Sequence, residues 1–197
     1  MNKLLKFAGV TSLALFLLTG CGGSKKQPAP AAPAPAADFG CKYKGKPAPE
    51  WYCEPYVEGA AVAVGEAAPN RGGDRNMQRT TAVAKARSAL AMDLEVKVKA
   101  MVTDWTRVTG AGEAQTYESN AEQVSKQVSA QTLQGSRMMK SWEAPDGTLI
   151  VLVGVQEAAV KDGITTSLKN DQALWQQFQS QKAQEALDAE FDKQFGN

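Results

Sequence analysis

The stretch Pro145-Asp146-Gly147-Thr148-Leu149-Ile150-Val151-Leu152-Val153-Gly154-Val155 decides the fold. With Ala144 before it, it places Pro second and Gly fourth in a four-residue turn, which suits a type I turn with a following bulge. Leu149 to Val155 is continuously apolar, the pattern of a central strand buried on both faces. The run is too short for a membrane span of about 20 residues, and polar turns bound it. Leu133 to Ala144 supplies the other arm of a hairpin. Met138 and Met139 point to opposite faces of that arm, which leaves its register open.

Working upstream, Val57-Glu-Gly-Ala-Ala-Val-Ala-Val-Gly65 reads as a strand. Its small residues imply that something packs closely on it. A loop over 66–73 follows, and Asp74 is placed to cap a long helix from 75 to about 107. Val83, Ala86, Leu90, Leu94, Val98, Met101 and Trp105 recur in steps of three and four, marking one helical face. Asp93 precedes Lys97, and Glu95 precedes Lys99, by four residues, which favours helix. Ala82, Ala84, Ala86, Ala89 and Ala91 keep the first half slim enough to lie against the small-residue strand. Gly110 and Gly112 stop the helix. Ser119-Asn-Ala-Glu122 has the form of a capping box, so a second helix is expected over 120–131. Downstream of the hairpin a helical stretch runs to about 168, weakened by Gly163. Asn170 or Asp171 then caps a final helix reaching Phe195. The sum is a small β–α–α–β–β core over 40–168 and a C-terminal helix over 169–197. The aromatic face of that last helix, with Trp175 and Phe178, packs on its own domain or meets another subunit.

The N-terminus sets the compartment. Lys3 and Lys6 precede an apolar run ending in Leu18-Thr19-Gly20-Cys21. Residues 1–20 have the form of a secretion signal. The four-residue ending resembles the lipobox of bacterial lipoproteins, in which the cysteine becomes the first mature residue and carries acyl chains such as palmitate. The competing account is a plain signal peptide that happens to contain a cysteine. Two or more acyl chains anchor a protein stably without spanning the bilayer. Gly22, rather than Asp, follows the cysteine, and in that class this points to the outer membrane of a Gram-negative cell. A Gram-positive plasma membrane is the other address. Residues 21–39 then hold the lipidated Cys21 and a Pro/Ala-rich tether, extended at about 3.1 Å per residue in polyproline II.

Composition narrows the chemistry. The 197-residue chain has a formal charge of +1, and loss of the two signal lysines takes it to −1. A near-neutral chain does not read as a nucleic-acid binder. Histidine is absent, which removes Ser-His-Asp and Cys-His schemes and every imidazole metal ligand. No phosphate-cradling glycine motif occurs. No cofactor and no metal site are expected, and the chain does not read as an enzyme. Arg71, Asp74, Arg75 and Arg79 cluster at the start of the long helix, where an anion would be attracted, though a solvated surface accounts for them equally. With Cys21 acylated, Cys41 and Cys53 remain, and in an oxidising compartment a disulfide is the default. Its closed loop of about 13 residues would contribute roughly 3 kcal/mol in the chain-entropy model. Between and beside them lie Tyr43, Trp51, Tyr52 and Tyr56, which either cap one end of the core or form a partner-contact surface.

Several residue patterns in sequence order resemble a known family. They are Pro49-x-Trp51, Val62-Ala63-Val64-Gly65-Glu66-Ala67, Ala82-x-Ala84-x-Ala86-Arg87-x-x-Leu90-Ala91, and Asp146-Gly147 with Leu149 to Val153. Behind a lipobox, over roughly 47–157, this order is similar to the Lpp-twenty family of outer-membrane lipoproteins, its FlgP-like flagellar members included. The resemblance implies a non-enzymatic α+β domain with a long helix packed on a small antiparallel sheet. It also implies a homo-oligomer that faces the periplasm, forms a ring or disk at the flagellar basal body and serves motility. The alternative is a monomeric envelope adaptor that contacts peptidoglycan or another envelope protein through Trp51, Tyr52 and Tyr56.

Overall fold

A computed structural model describes residues 40–110 and 114–196. The signal segment, Cys21, the Pro/Ala tether and Gly112 lie outside the described residues. The fold is α+β, with the long helix on a small antiparallel sheet as expected. The stapled N-terminal segment holds β1 (Lys42–Tyr43), β2 (Lys46–Pro47) and the short helix α1 (Glu50–Cys53). Then come β3 (Ala60–Ala67), α2 (Arg75–Thr109), α3 (Ala114–Gln134), β4 (Arg137–Glu143) and β5 (Leu149–Gln156). Three helices close the chain: α4 (Glu157–Lys169), α5 (Gln172–Phe178) and α6 (Gln181–Phe195).

Strands β3, β5 and β4 form an antiparallel sheet in that order, so the apolar run of β5 is central. Val151, Leu152 and Val153 are fully buried. The hairpin turn forms as the sequence dictates. Gly147 sits at φ 80°, and the Asp146 carboxylate accepts from the Thr148 N–H at 3.0 Å. The open register of β4 resolves into a bulge. Met138 pairs with Val153 and Lys140 with Leu152, which leaves Met139 as the extra residue. Met138 therefore packs into the core under α2, and the Met139 sulfur comes up against Gly154 on the other face.

One face of the sheet carries α2. Gly65 is the point of closest approach, because a Cβ there would strike the Ala82 carbonyl oxygen and the Ala86 backbone nitrogen. Alanines on one element and glycine on the other let two backbones meet. Asp74 caps α2, accepting from the N–H groups of Asn76 and Met77. Gln78, buried, donates to the carbonyls of Ala67 and Gly147 and ties the helix start to the end of β3 and to the hairpin turn. Farther along, Leu90, Leu94, Val98, Met101 and Trp105 are fully buried. Beyond the sheet they meet Val124 and Val128 of α3, Ile164 and Leu168 of α4, and Leu187 and Phe191 of α6 in one core.

Four boundaries differ from the sequence expectation. The first strand begins at Ala60 rather than Val57, because Val57 to Gly59 form a turn with Gly59 at φ 68°. It continues to Ala67, which pairs with Leu149. The hairpin's first arm starts at Arg137, since Leu133 still belongs to α3. That helix begins at Ala114, so the capping-box pattern at Ser119 falls inside it. The Glu122 side chain, instead of reaching back, pairs with Lys126 at 2.6 Å and Lys99 at 3.8 Å. Finally, the last helix is two. Ser180 caps α6 by accepting from the Ala183 N–H, and the break directs the Ala183 carbonyl to the Trp105 Nε1–H at 2.8 Å.

Candidate functional site

The second face of the sheet is where the expected contact residues gather. Residues 41–53 fold back over it, held by the Cys41–Cys53 disulfide with a Cα–Cα distance of 5.7 Å. Beneath lie Ile150, Val64 and Ala144, and above them Tyr43, Tyr52 and Trp142. Tyr43 meets Tyr52 edge-on at 5.7 Å and Trp142 edge-on at 5.9 Å between centroids. Edge-to-face geometry sets the positive rim of one ring against the negative face of another. Tyr43, Trp51 and Tyr52 cap the core as their segment suggested, whereas sequence reasoning missed Trp142 as a member of this layer. Trp142 was hidden by the bulge at Met139, three residues before it, which resets the alternation.

Polar contacts clamp the layer to the hairpin turn. The Tyr43 hydroxyl donates to Asp146 at 3.3 Å, and Lys44 Nζ donates to the same oxygen at 2.6 Å. Lys44 and the Thr148 backbone N–H hold the Asp146 carboxyl far below its usual range, and the same carboxylate raises the lysine. Burial, and then the nearby Glu66 carboxylate, push the Tyr52 hydroxyl up, so it stays protonated.

Trp51 and Tyr52 are half-buried, whereas Tyr56 is 51% exposed. Trp51 and Tyr56 line an open groove with Glu50, Glu54 and Lys140. The rings of Trp51 and Tyr52 thus cap the sheet while leaving an aromatic rim. Trp175 and Phe178 belong to a separate place. They pack on one another at 5.4 Å, and Phe178 stands edge-on to the buried Trp105 at 6.4 Å. Lys169 Nζ lies 5.3 Å over the Trp175 ring. Phe178 is part of the helical core, and Trp175 is its half-covered margin.

Among the described residues no three His, Cys, Asp or Glu side chains gather to hold a metal ion. No described helix is long and apolar enough to cross a membrane. A sheet roofed on one side by a helix and on the other by a disulfide-bound aromatic flap offers surfaces and shallow grooves.

The model of the LPP20 lipoprotein family matches residues 49–156, more than half of the chain. The match runs from the start of α1 to the end of β5, so it takes in the three-stranded sheet, α2 and α3. No curated protein matches the chain.

Proposed function

Because the chain belongs to the LPP20 lipoprotein family, we propose that this envelope lipoprotein is a structural, oligomerising subunit of a flagellar basal-body ring or disk at the outer membrane. The observation that carries the reading is the family match standing behind Leu18-Thr19-Gly20-Cys21. Acyl chains on Cys21 would hold the chain to the periplasmic leaflet, and the Pro/Ala tether would set its reach. The domain then works without catalysis, by standing beside its copies.

The test is genetic and structural. The gene is deleted in the source bacterium and restored as wild type or as Cys21→Ser. Swimming in soft agar and tomography of the basal body are then compared. Lost swimming with a missing ring density, restored only by the acylated form, is the expected result. A deletion strain that swims normally with an unchanged basal body would rule the reading out.

A second reading is favoured by one feature, the exposed Tyr56 beside Trp51 in a groove edged by Glu50, Glu54 and Lys140. Here the protein is a monomeric adaptor for peptidoglycan or another envelope protein. Co-sedimentation with peptidoglycan sacculi that Trp51→Ala and Tyr56→Ala abolish would favour it over the ring.

A further inference from the structure

Two grooves of opposite charge lie at the two edges of the sheet. At the β3 edge, Ala60, Ala61 and Val62 form a groove with Tyr56 and Phe195, and its rim carries Glu54, Asp93, Glu157 and Lys97. Asp93 and Lys97 pair with each other at 3.3 Å. The remaining Glu54 and Glu157 have no ion-pair partner among the described residues, and they leave this groove acidic. On the β4 side, Arg75 and Arg79 border Met138, Ser141 and Leu149. The same helix row continues to Arg87, with Val83 and Ala84 between the arginines. Arg75 pairs with Glu143, and Arg87 donates to Ser136. Arg79 has no ion-pair partner among the described residues, and this groove is basic.

Both grooves combine an apolar floor with a charged rim, the composition of a contact surface rather than of solvated polar skin. The sheet order β3–β5–β4 places them on opposite edges of one molecule. Like charge opposes either groove meeting its own like around a two-fold axis. It can meet the other on a neighbouring copy, a heterologous contact that repeats from copy to copy.

We infer that a second copy of this chain docks its acidic β3-edge groove, with Glu54 and Glu157, onto the basic α2–β4 groove with Arg79 and Arg87, so that copies join head to tail. This rests on the assembly reading above and names its interface. Charge complementarity of this kind fixes register and suppresses wrong pairings. The contact closes into a ring or runs on as a filament according to the turn between neighbours. Tethering to one leaflet favours it further by raising local concentration.

The experiment uses the full acylated chain in detergent, with mass followed by light scattering over a concentration series. Arg79→Glu and Glu54→Lys are each compared with wild type, and circular dichroism checks that they fold. Each variant sets like charges across the contact and should need roughly tenfold more protein to assemble. An equal mixture of the two restores opposite charges wherever the two alternate and should assemble at concentrations at which neither does alone. Variants that assemble normally, or that fail to recover on mixing, overturn the interface while leaving assembly intact. If either reversal impairs folding, Arg79→Gln and Glu54→Gln take its place, and an unchanged assembly curve in both overturns the interface equally. A wild-type chain that stays single at every concentration overturns the assembly reading itself and the interface with it.

Discussion

Gly65 is the residue on which the approach of α2 to the sheet depends. Its missing Cβ is occupied by the backbone of Ala82 and Ala86. Backbone cannot swing aside as a flexible side chain can, so Gly65→Ala must push the helix off the strand. A destabilisation of about 3 kcal/mol is expected from such overpacking, read as a lowered urea midpoint. Gly72→Ala is the control, since the nearest atom to its Cβ is an Asn70 side-chain oxygen at 3.6 Å. Equal midpoints for the two variants would count against the close approach. Asp146 acts at the same scale through its charge. Its folded pKa lies below the ordinary 3.8, with Lys44 the first cause. A depressed carboxylate contributes stability that is present above the unfolded value and lost as pH falls toward the folded one. Acidification below about pH 4 should therefore loosen the clamp between the stapled segment and the turn. The protection of amides at residues 41–48, corrected for the pH dependence of intrinsic exchange, should fall there in wild type, while Asp146→Asn should show the lower protection already at pH 7.

At the scale of elements, the aromatic flap depends on a covalent bond more than on its own secondary structure. Strands β1 and β2 have two residues each and α1 has four, lengths that are marginal alone. Reduction, or Cys53→Ser, should cost about 3 kcal/mol and expose Trp51 and Trp142, moving tryptophan emission to the red. Unshifted emission after reduction would mean that packing alone holds the flap. The C-terminal helices can be weighed in the same way. Phe191 is 7% exposed and joins the core around α2, so Phe191→Ala should destabilise by about 3–5 kcal/mol in a denaturant titration. A loss near zero would mean that α6 is only loosely laid on. These elements also mark what the sequence could and could not disclose. The hairpin turn, the Asp74 cap and the buried stripe of α2 were legible because each is written in residues a few positions apart. The start of α3 was not, because Glu122 found partners on α2 as well as on its own helix. Nor was the break before α6, whose purpose is a hydrogen bond to Trp105 some 78 residues away. The site was legible in part. Tyr43, Trp51 and Tyr52 were found through their cysteines, but Trp142 joined them only through the fold.

At the scale of the whole molecule, anchoring and folding are separate. The described residues close their own core without the N-terminal 39, and no helix among them suits a bilayer. Cys21→Ser should therefore give a folded protein in the soluble fraction, with a melting temperature within a few degrees of wild type. A large fall in melting temperature would mean that the anchor takes part in folding.

The disulfide has one more consequence, and it is mechanical. The described fold begins at Gly40, next to Cys41, so a pull on the chain from its N-terminal side arrives there first. The sulfur bridge carries that force across to Cys53, and the chain passes it on through Pro55 to the start of β3. Residues 42–52 are bypassed, and the aromatic flap is spared from being peeled away. For a load carried along β3, its eight residues hold β5 through bonds lying across the direction of pull. A ladder loaded in that direction resists as a set, in shear, whereas one pulled open from its end yields rung by rung.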